Sequence, residues 1–155
     1  MNEIEGLLAR EQIRDQLSLY CQGVDGNDWE LVRSCFADDH QHDHAPFKGS
    51  RDEFIEFASG VMKSVAVSRH SITNVIINLS EDGLTATSEA NFTSIHFIEG
   101  SAGQGLSFAS GDEDMDWMVV GSYSDQWVLR DGKWLINRRK STHHWDRIEP
   151  SSKTG

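Results

Sequence analysis

Two polar residues far apart in the chain, Asp25 and His70, are of the types that do acid–base chemistry as a pair. Asp25 falls where an amphipathic helix is expected to run out and another to begin. Its carboxylate therefore meets the unpaired carbonyls of a helix C-terminus, an unfavourable place for negative charge. A histidine compensates it: the carboxylate orients the ring and stabilises its protonated form, and the other ring nitrogen is left to work as a base. Elimination of a group β to a carbonyl needs a base for the α-proton, a donor for the oxygen that becomes enolate-like and an acid for the leaving hydroxyl. His70 can be base and then acid, and Tyr20 can be the donor. One such base contributes roughly 10²–10⁴ in rate, so the substrate must carry a fairly acidic C–H or a good leaving group. The same parts serve isomerisation or aldol-type cyclisation.

Other histidines compete for attention. His40, His42 and His44 alternate with Gln41 and Asp43, so in an extended segment their rings share one side, as a metal site could require. Three ligands on one strand diverge from a single ion, and no CxxC or HExxH pattern supports them, so exposure at a strand edge is the expectation and no metal is assigned. Cys21 and Cys35, the two cysteines, each fall in an expected helix and read as buried thiols in a reducing compartment.

These residues need elements to hold them. Ile13, Leu17, Tyr20, Cys21 and Val24 recur at helical spacing, predicting a helix from near Glu5 to a C-terminal glycine, Gly26. Asn27 with Glu30 reads as the N-cap of a short second helix carrying Trp29, Val32 and Phe36 on one side. Ser50 with Glu53 is a second capping box, and Phe54, Phe57, Ala58, Val61 and Met62 give the stripe of a third helix. From Ser68 the period becomes two. A β-rich run over 71–79 ends at Glu81-Asp82-Gly83, and a second over 85–98 sets Ala86, Ser88, Ala90, Phe92, Ser94 and His96 on one face. The Gly-, Ser- and Asp-rich segment 100–114 reads as a long loop suited to a lid. A run over 117–129, the turn Asp131-Gly132 and a partner over 133–145 form a hairpin, and 148–155 reads as a disordered polar tail behind a domain of 1–147. The pattern predicts an α+β fold, about three N-terminal helices on a bent, mostly antiparallel sheet.

With 155 residues the chain suits one domain. Its 14 Lys and Arg against 25 Asp and Glu give a net charge of -11, which argues against general attraction to nucleic acid or anionic membrane. A small-molecule partner fits better. Arg130, Lys133, Arg138, Arg139 and Lys140 alternate with apolar residues and read as a solvated strand face. No run reaches the ~18 apolar residues of a membrane span, and the N-terminus lacks a basic-then-apolar leader pattern, so a cytoplasmic protein is expected.

The opening Ala9-Arg10-Glu11-Gln12-Ile13-Arg14-Asp15, the Tyr20…Val24-Asp25-Gly26…Trp29 stretch, Arg69-His70 and Asp131-Gly132-Lys133-Trp134 together resemble the SnoaL-like branch of the NTF2-like superfamily, which includes scytalone dehydratase, bile acid 7α-dehydratase and hexachlorocyclohexane dehydrochlorinase. The likeness covers nearly the whole chain. It implies a cone-shaped α+β barrel with a deep pocket, a catalytic Asp/His pair that falls on Asp25 and His70, no cofactor, and often a homo-oligomer, a dimer or trimer. The bile acid enzyme's tyrosine falls on Tyr20, where the dehydrochlorinase carries a lysine. A second histidine of scytalone dehydratase falls near Ser94, with His96 one same-face step away, and the terminal arginine of the bile acid enzyme falls near His143. These three are the expected substrate-binding residues. The implied activity is a dehydratase-like lyase acting on a small, largely apolar hydroxylated cyclic or aromatic compound. Alternatives are an isomerase, a polyketide-cyclase-like enzyme, or a binding or assembly module that keeps the cone without chemistry.

Overall fold

The computed structural model describes residues 2–100, 106 and 113–151. The first helix, α1 (Glu3–Asp25), starts at a capping box in which the Asn2 side chain accepts from the Glu5 N–H while the Glu5 carboxylate accepts from the Asn2 N–H. Its stripe of Ile13, Leu17, Tyr20, Cys21 and Val24 is buried, and Gly26 caps its end. The next helix, α2 (Trp29–Ser34), is capped by Asp28, whose side chain accepts from the Leu31 N–H at 3.0 Å. The expected cap, Asn27, instead takes the left-handed conformation (φ 56) that lets the chain turn sharply between the helices, which an asparagine tolerates. Cys35 closes α2 rather than lying within it, and Phe36 already belongs to the first strand.

Strands β1 (Phe36–His44) and β2 (Phe47–Ser50) form a hairpin that leads into α3 (Arg51–Met62), begun by the expected Ser50/Glu53 capping box. Four long strands follow: β3 (Val67–Leu79), β4 (Thr85–Ile98), β5 (Met115–Arg130) and β6 (Lys133–Pro150). They join β1 and β2 in one sheet of order β2-β1-β6-β5-β4-β3, antiparallel throughout except where β1 runs parallel to β6. The class is the expected α+β, three helices on a mixed, mostly antiparallel sheet, although the sheet stays open and does not close into a barrel. β6 reaches Pro150, with Ile148 and Glu149 paired to Trp117 and Asp116, so residues 148–150 belong to the sheet and not to a polar tail. Residues 152–155 and most of the segment expected to be a lid lie outside the described residues.

The hairpin turn follows from Asp131 (φ 50) and Gly132 (φ 75), both left-handed as a tight two-residue turn requires. Irregularities then bend the sheet. Register shifts by one between Gln126 and Trp127, and again beside Gly121, where His144 is the extra residue. A Cβ on Gly121 would lie 2.3 Å from the Thr142 carbonyl oxygen and 2.5 Å from the Phe92 ring. Its absence lets β5 and β6 close up and the Phe92 ring lie flat on Tyr123, centroids 4.4 Å apart. The face of β4 expected to point inward does so throughout, from Ala86 to His96.

Candidate active site

Asp25 ends α1, and its carboxylate is spent entirely on the start of β3. His70 Nδ1 lies 2.7 Å from Oδ1, the His70 backbone N–H donates to Oδ2 at 2.9 Å, and the Ser68 hydroxyl donates to Oδ1 at 2.8 Å. Burial works to raise the Asp25 carboxyl, but these bonds from His70 and Ser68 outweigh it and hold the group below the usual carboxylate range. An ionised carboxylate can only accept, so the proton between the two sits on Nδ1 and the lone pair on Nε2. Both side chains are nearly buried, at 11% exposure for His70 and 13% for Asp25. They open in different directions: His70 lines a cavity under α3, whereas Asp25 stands behind it beside a shallow surface pit with Gln22, Gly26 and Arg69.

That cavity, about 320 Å³, lies between α3 and the concave face of the sheet. Phe54, Phe57, Val61 and Met62 make its apolar side. Tyr20, Ser94, His96 and His143 all line it as well, so five of the six residues singled out from sequence surround one space and the sixth, Asp25, backs His70. Ser94 is the cross-strand partner of His70. The His96 ring is 5.3 Å from that of His70 and 4.9 Å from Trp117, and burial together with the neighbouring His70 pushes it down to about 4, so it is neutral near pH 7. His143 is an exposed residue whose ring meets His44 and Phe92 at 4.8 and 5.9 Å.

Tyr20 does not reach the pair: among the described residues no hydrogen bond joins it to Asp25 or His70. Its ring stands edge-on to Tyr123, and the Arg139 guanidinium lies over both rings, 4.4 Å from Tyr20 and 4.1 Å from Tyr123. Burial raises the Tyr20 hydroxyl against the pull of Arg139. Arg139 is not on a solvated face but fully buried, bonded in parallel to both oxygens of Asp125 at 2.8 and 2.7 Å. Sequence reasoning missed this pair and Ser68. Ser68 carried a signal, since it lies two residues from His70 on one strand face. The pair carried none, because the register shift near Trp127 turns Arg139 inward.

The β1 histidines also differ from expectation. His40 and His42 are buried and His44 largely so, because this face of β1 packs under α3 while β6 pairs alongside. His40 Nδ1 meets the Ile136 carbonyl at 3.0 Å, His40 Nε2 meets His42 Nδ1 at 3.1 Å, and His42 stacks on Phe54. Burial, aided by Arg139, pushes His40 down to about 3 and His42 lower still; His44 comes down to about 4 through burial and its neighbour His143. Among the described residues no group of three or more His, Cys, Asp or Glu is placed to hold a metal ion, and no helix is long and apolar enough to cross a membrane.

The fold has counterparts among solved structures. A protein from Novosphingobium aromaticivorans bearing the name scytalone dehydratase superposes with a TM-score of 0.79 at 19% identity, over 99% of this chain and 100% of its own. A type 2 hexachlorocyclohexane dehydrochlorinase gives 0.80 at 13% identity, over 99% and 97%. A protein from N. aromaticivorans named as an aromatic ring hydroxylase gives 0.75 at 18%, over 94% of each chain. At these identities the likeness shows the fold alone. Among proteins of curated function none matches this sequence. The SnoaL-like domain family matches residues 5–140, nearly the whole of the described fold, and the chain therefore belongs to the SnoaL-like family.

Proposed function

We propose that the protein is a dehydratase-like lyase that carries out a β-elimination with groups of its own chain, on a small, largely apolar hydroxylated cyclic or aromatic compound. The observation that carries this reading is the 2.7 Å contact of Asp25 with His70 Nδ1, which leaves a basic Nε2 on a residue that lines an apolar cavity. Nε2 takes the α-proton, the C–H electron pair becomes the new double bond as the C–O bond breaks, and the same nitrogen returns the proton to the departing hydroxyl as water. Asp25 stabilises the imidazolium between the two transfers, and Ser68 and the His70 N–H keep the carboxylate in place. Tyr20, with Arg139 over its ring, is assigned to donate to the substrate carbonyl, and Ser94 and His96 to flank the reacting carbon. Two structural neighbours are named for the loss of water and of hydrogen chloride, both eliminations.

One feature favours isomerisation as a second reading: His70 is the one cavity-lining group assigned a mobile proton, and a single base that moves a proton between carbons needs no separate acid. The two are separated by incubating hydroxy-ketones and phenolic alcohols with wild type and His70→Ala and following product mass. Loss of the mass of water in wild type alone supports elimination, and a product of unchanged mass supports isomerisation. Identical behaviour of both proteins on every converted compound would overturn proton transfer by this pair.

A further inference from the structure

The polar groups of the cavity fall into two sets at opposite sides of the concave face. His70, Ser94 and His96 lie on β3 and β4, whereas His44 and His143 lie on β1 and β6, with β5 between. His44 lines the cavity, yet its buried Nδ1 meets no protein partner, and the Ser141 hydroxyl in the same register row is likewise buried without one. A buried polar atom left so costs about 1–3 kcal/mol; the His96 Nδ1 at the other side is in the same state, and of His44 and Ser141 it is His44 that lines the cavity and can meet a polar group from outside the chain. The histidines behind are neutral and bonded to one another and to the backbone. The Ile136 carbonyl can only accept, so neutral His40 carries its proton on Nδ1, and the short contact onward then sets the proton of His42 on Nδ1 as well.

The charge of the wall is as informative as its hydrogen bonds. The Arg139 guanidinium behind Tyr20 and Tyr123 binds Asp125 through Nε and Nη2 in a fully buried pair and does not line the cavity. Among the described residues that line the cavity there is one aspartate, Asp146, and no lysine or arginine, and Asp25 adds a second carboxylate behind His70. An anionic ligand therefore finds acidic groups and no facing cation among the described residues.

We propose that His44 and His143 form a second polar subsite that takes an uncharged hydroxyl or carbonyl, so that the ligand is a neutral, flat, mostly carbon molecule with a hydrogen-bonding group at each end. One group meets His70 and the other meets His44, with the carbon body between them against Phe54, Phe57 and Phe92. Desolvation, strong at His44 and partial at the exposed His143, holds both below the ordinary histidine value, which favours the neutral rings at physiological pH. The inference rests on the lyase reading for the role of the His70 end, but it concerns binding and can be tested without turnover.

The experiment titrates the full chain by calorimetry at neutral pH with 2,6-dihydroxynaphthalene, 2-naphthol and 6-hydroxy-2-naphthoate. The diol should bind roughly five- to tenfold more tightly than 2-naphthol, the value of one hydrogen bond, and the carboxylate should bind at least roughly tenfold more weakly than the diol. In His44→Phe, and in His143→Phe on a different strand, the diol should lose its advantage while 2-naphthol binds as before; His44→Gln should restore it. His70→Ala should leave the effect of His44→Phe intact. Equal binding of diol and 2-naphthol to wild type, strongest binding of the carboxylate, a His44→Phe effect shared by both phenols, or no binding of any of the three would overturn the subsite. If the pattern holds and nothing is turned over, the ligand class stands and the lyase reading falls.

Discussion

Two sets of histidines occupy the same concave surface and have opposite fates. His70 sits on β3 against the carboxylate of Asp25, whereas His40 and His42 sit on β1 against a carbonyl, one another and the ring of Phe54. A carboxylate partner can stabilise an imidazolium and so makes a base that can accept and return a proton; a carbonyl and an aromatic face cannot, and burial then keeps the ring neutral. Residue type is shared although the strands are not, β3 being an edge and β1 lying between β2 and β6, and the partner of the ring makes the difference in its chemistry.

The sharpest way to break this contrast is to exchange the losses. His70→Ala should abolish turnover, a fall of roughly 10²–10⁴ or more, while ligand binding loses no more than one hydrogen bond, roughly five- to tenfold, and the urea midpoint changes little. Asp25→Asn should lower the rate by less while the chain stays folded, because a neutral amide can still hold the ring but no longer stabilises its charge. His42→Phe should do the reverse, leaving turnover within a few-fold and costing about 1–3 kcal/mol of stability through the orphaned Nε2 of His40. A His42 variant as inactive as His70→Ala would dissolve the distinction.

Next in size is the buried pair. Arg139→Met leaves Asp125 as an uncompensated buried carboxylate and should cost about 3–5 kcal/mol in denaturant unfolding. Adding Asp125→Leu should recover most of it. No recovery would mean that the charges themselves, and not merely their pairing, hold β5 and β6 together.

Why this pair could not be read from the chain is instructive. Counting back from the Asp131-Gly132 turn sets Asp125 opposite Arg138 and sends Arg139 outward, and the single residue inserted near Trp127 reverses both. Nothing in local composition marks that insertion. The β1 histidines were misjudged for a related reason, since β1 looks like a polar edge strand until its parallel pairing with β6 and the cover of α3 are known. What local pattern specifies was legible in part: the Ser50/Glu53 box begins α3 as expected, the inward face of β4 is as expected and the hairpin turn is where Asp-Gly places it, whereas the Asn2/Glu5 box of α1 was not read and Asp28, not Asn27, caps α2. The meeting of Asp25 with His70 combines a helix end and a strand start 45 residues apart, which the family resemblance supplied and spacing alone did not.

Acid titration separates the two sets again. His40, His44 and His96 stand at about 3, 4 and 4 in the folded protein against roughly 6.5 unfolded, so between these limits the unfolded chain binds more protons. Their contribution is full above about pH 6.5 and is lost as pH falls from there toward 4, each ring adding up to about 1.4 kcal/mol per pH unit. Asp25, lowered by its bonds, keeps its contribution down to the ordinary carboxylate range and loses it as pH falls from there through its folded value. The urea midpoint should therefore fall steeply from pH 6.5 to 4.5, and less steeply in His44→Phe. A flat profile would show that these rings are not held neutral.

The smallest effect expected is that of Tyr20→Phe, and it tests whether the polar core at the back of the cavity takes part in the chemistry of the front. Tyr20 has two claims on it: its ring closes the cavity and contacts Arg139 and Phe36, and its hydroxyl is the donor assigned to the substrate carbonyl. Phenylalanine keeps the ring, and with it the packing and most of the contact with the guanidinium, while removing the hydroxyl. If that hydroxyl donates one hydrogen bond that strengthens as the carbonyl becomes enolate-like, the loss is about 1 kcal/mol, a fivefold to tenfold fall in kcat/KM carried mainly by kcat. A fall confined to KM would assign Tyr20 to binding alone. A loss as deep as that of His70→Ala would instead make Tyr20 the acid, with Arg139 acting through it, and the division between a reactive edge and an inert polar core would have to be redrawn to include both.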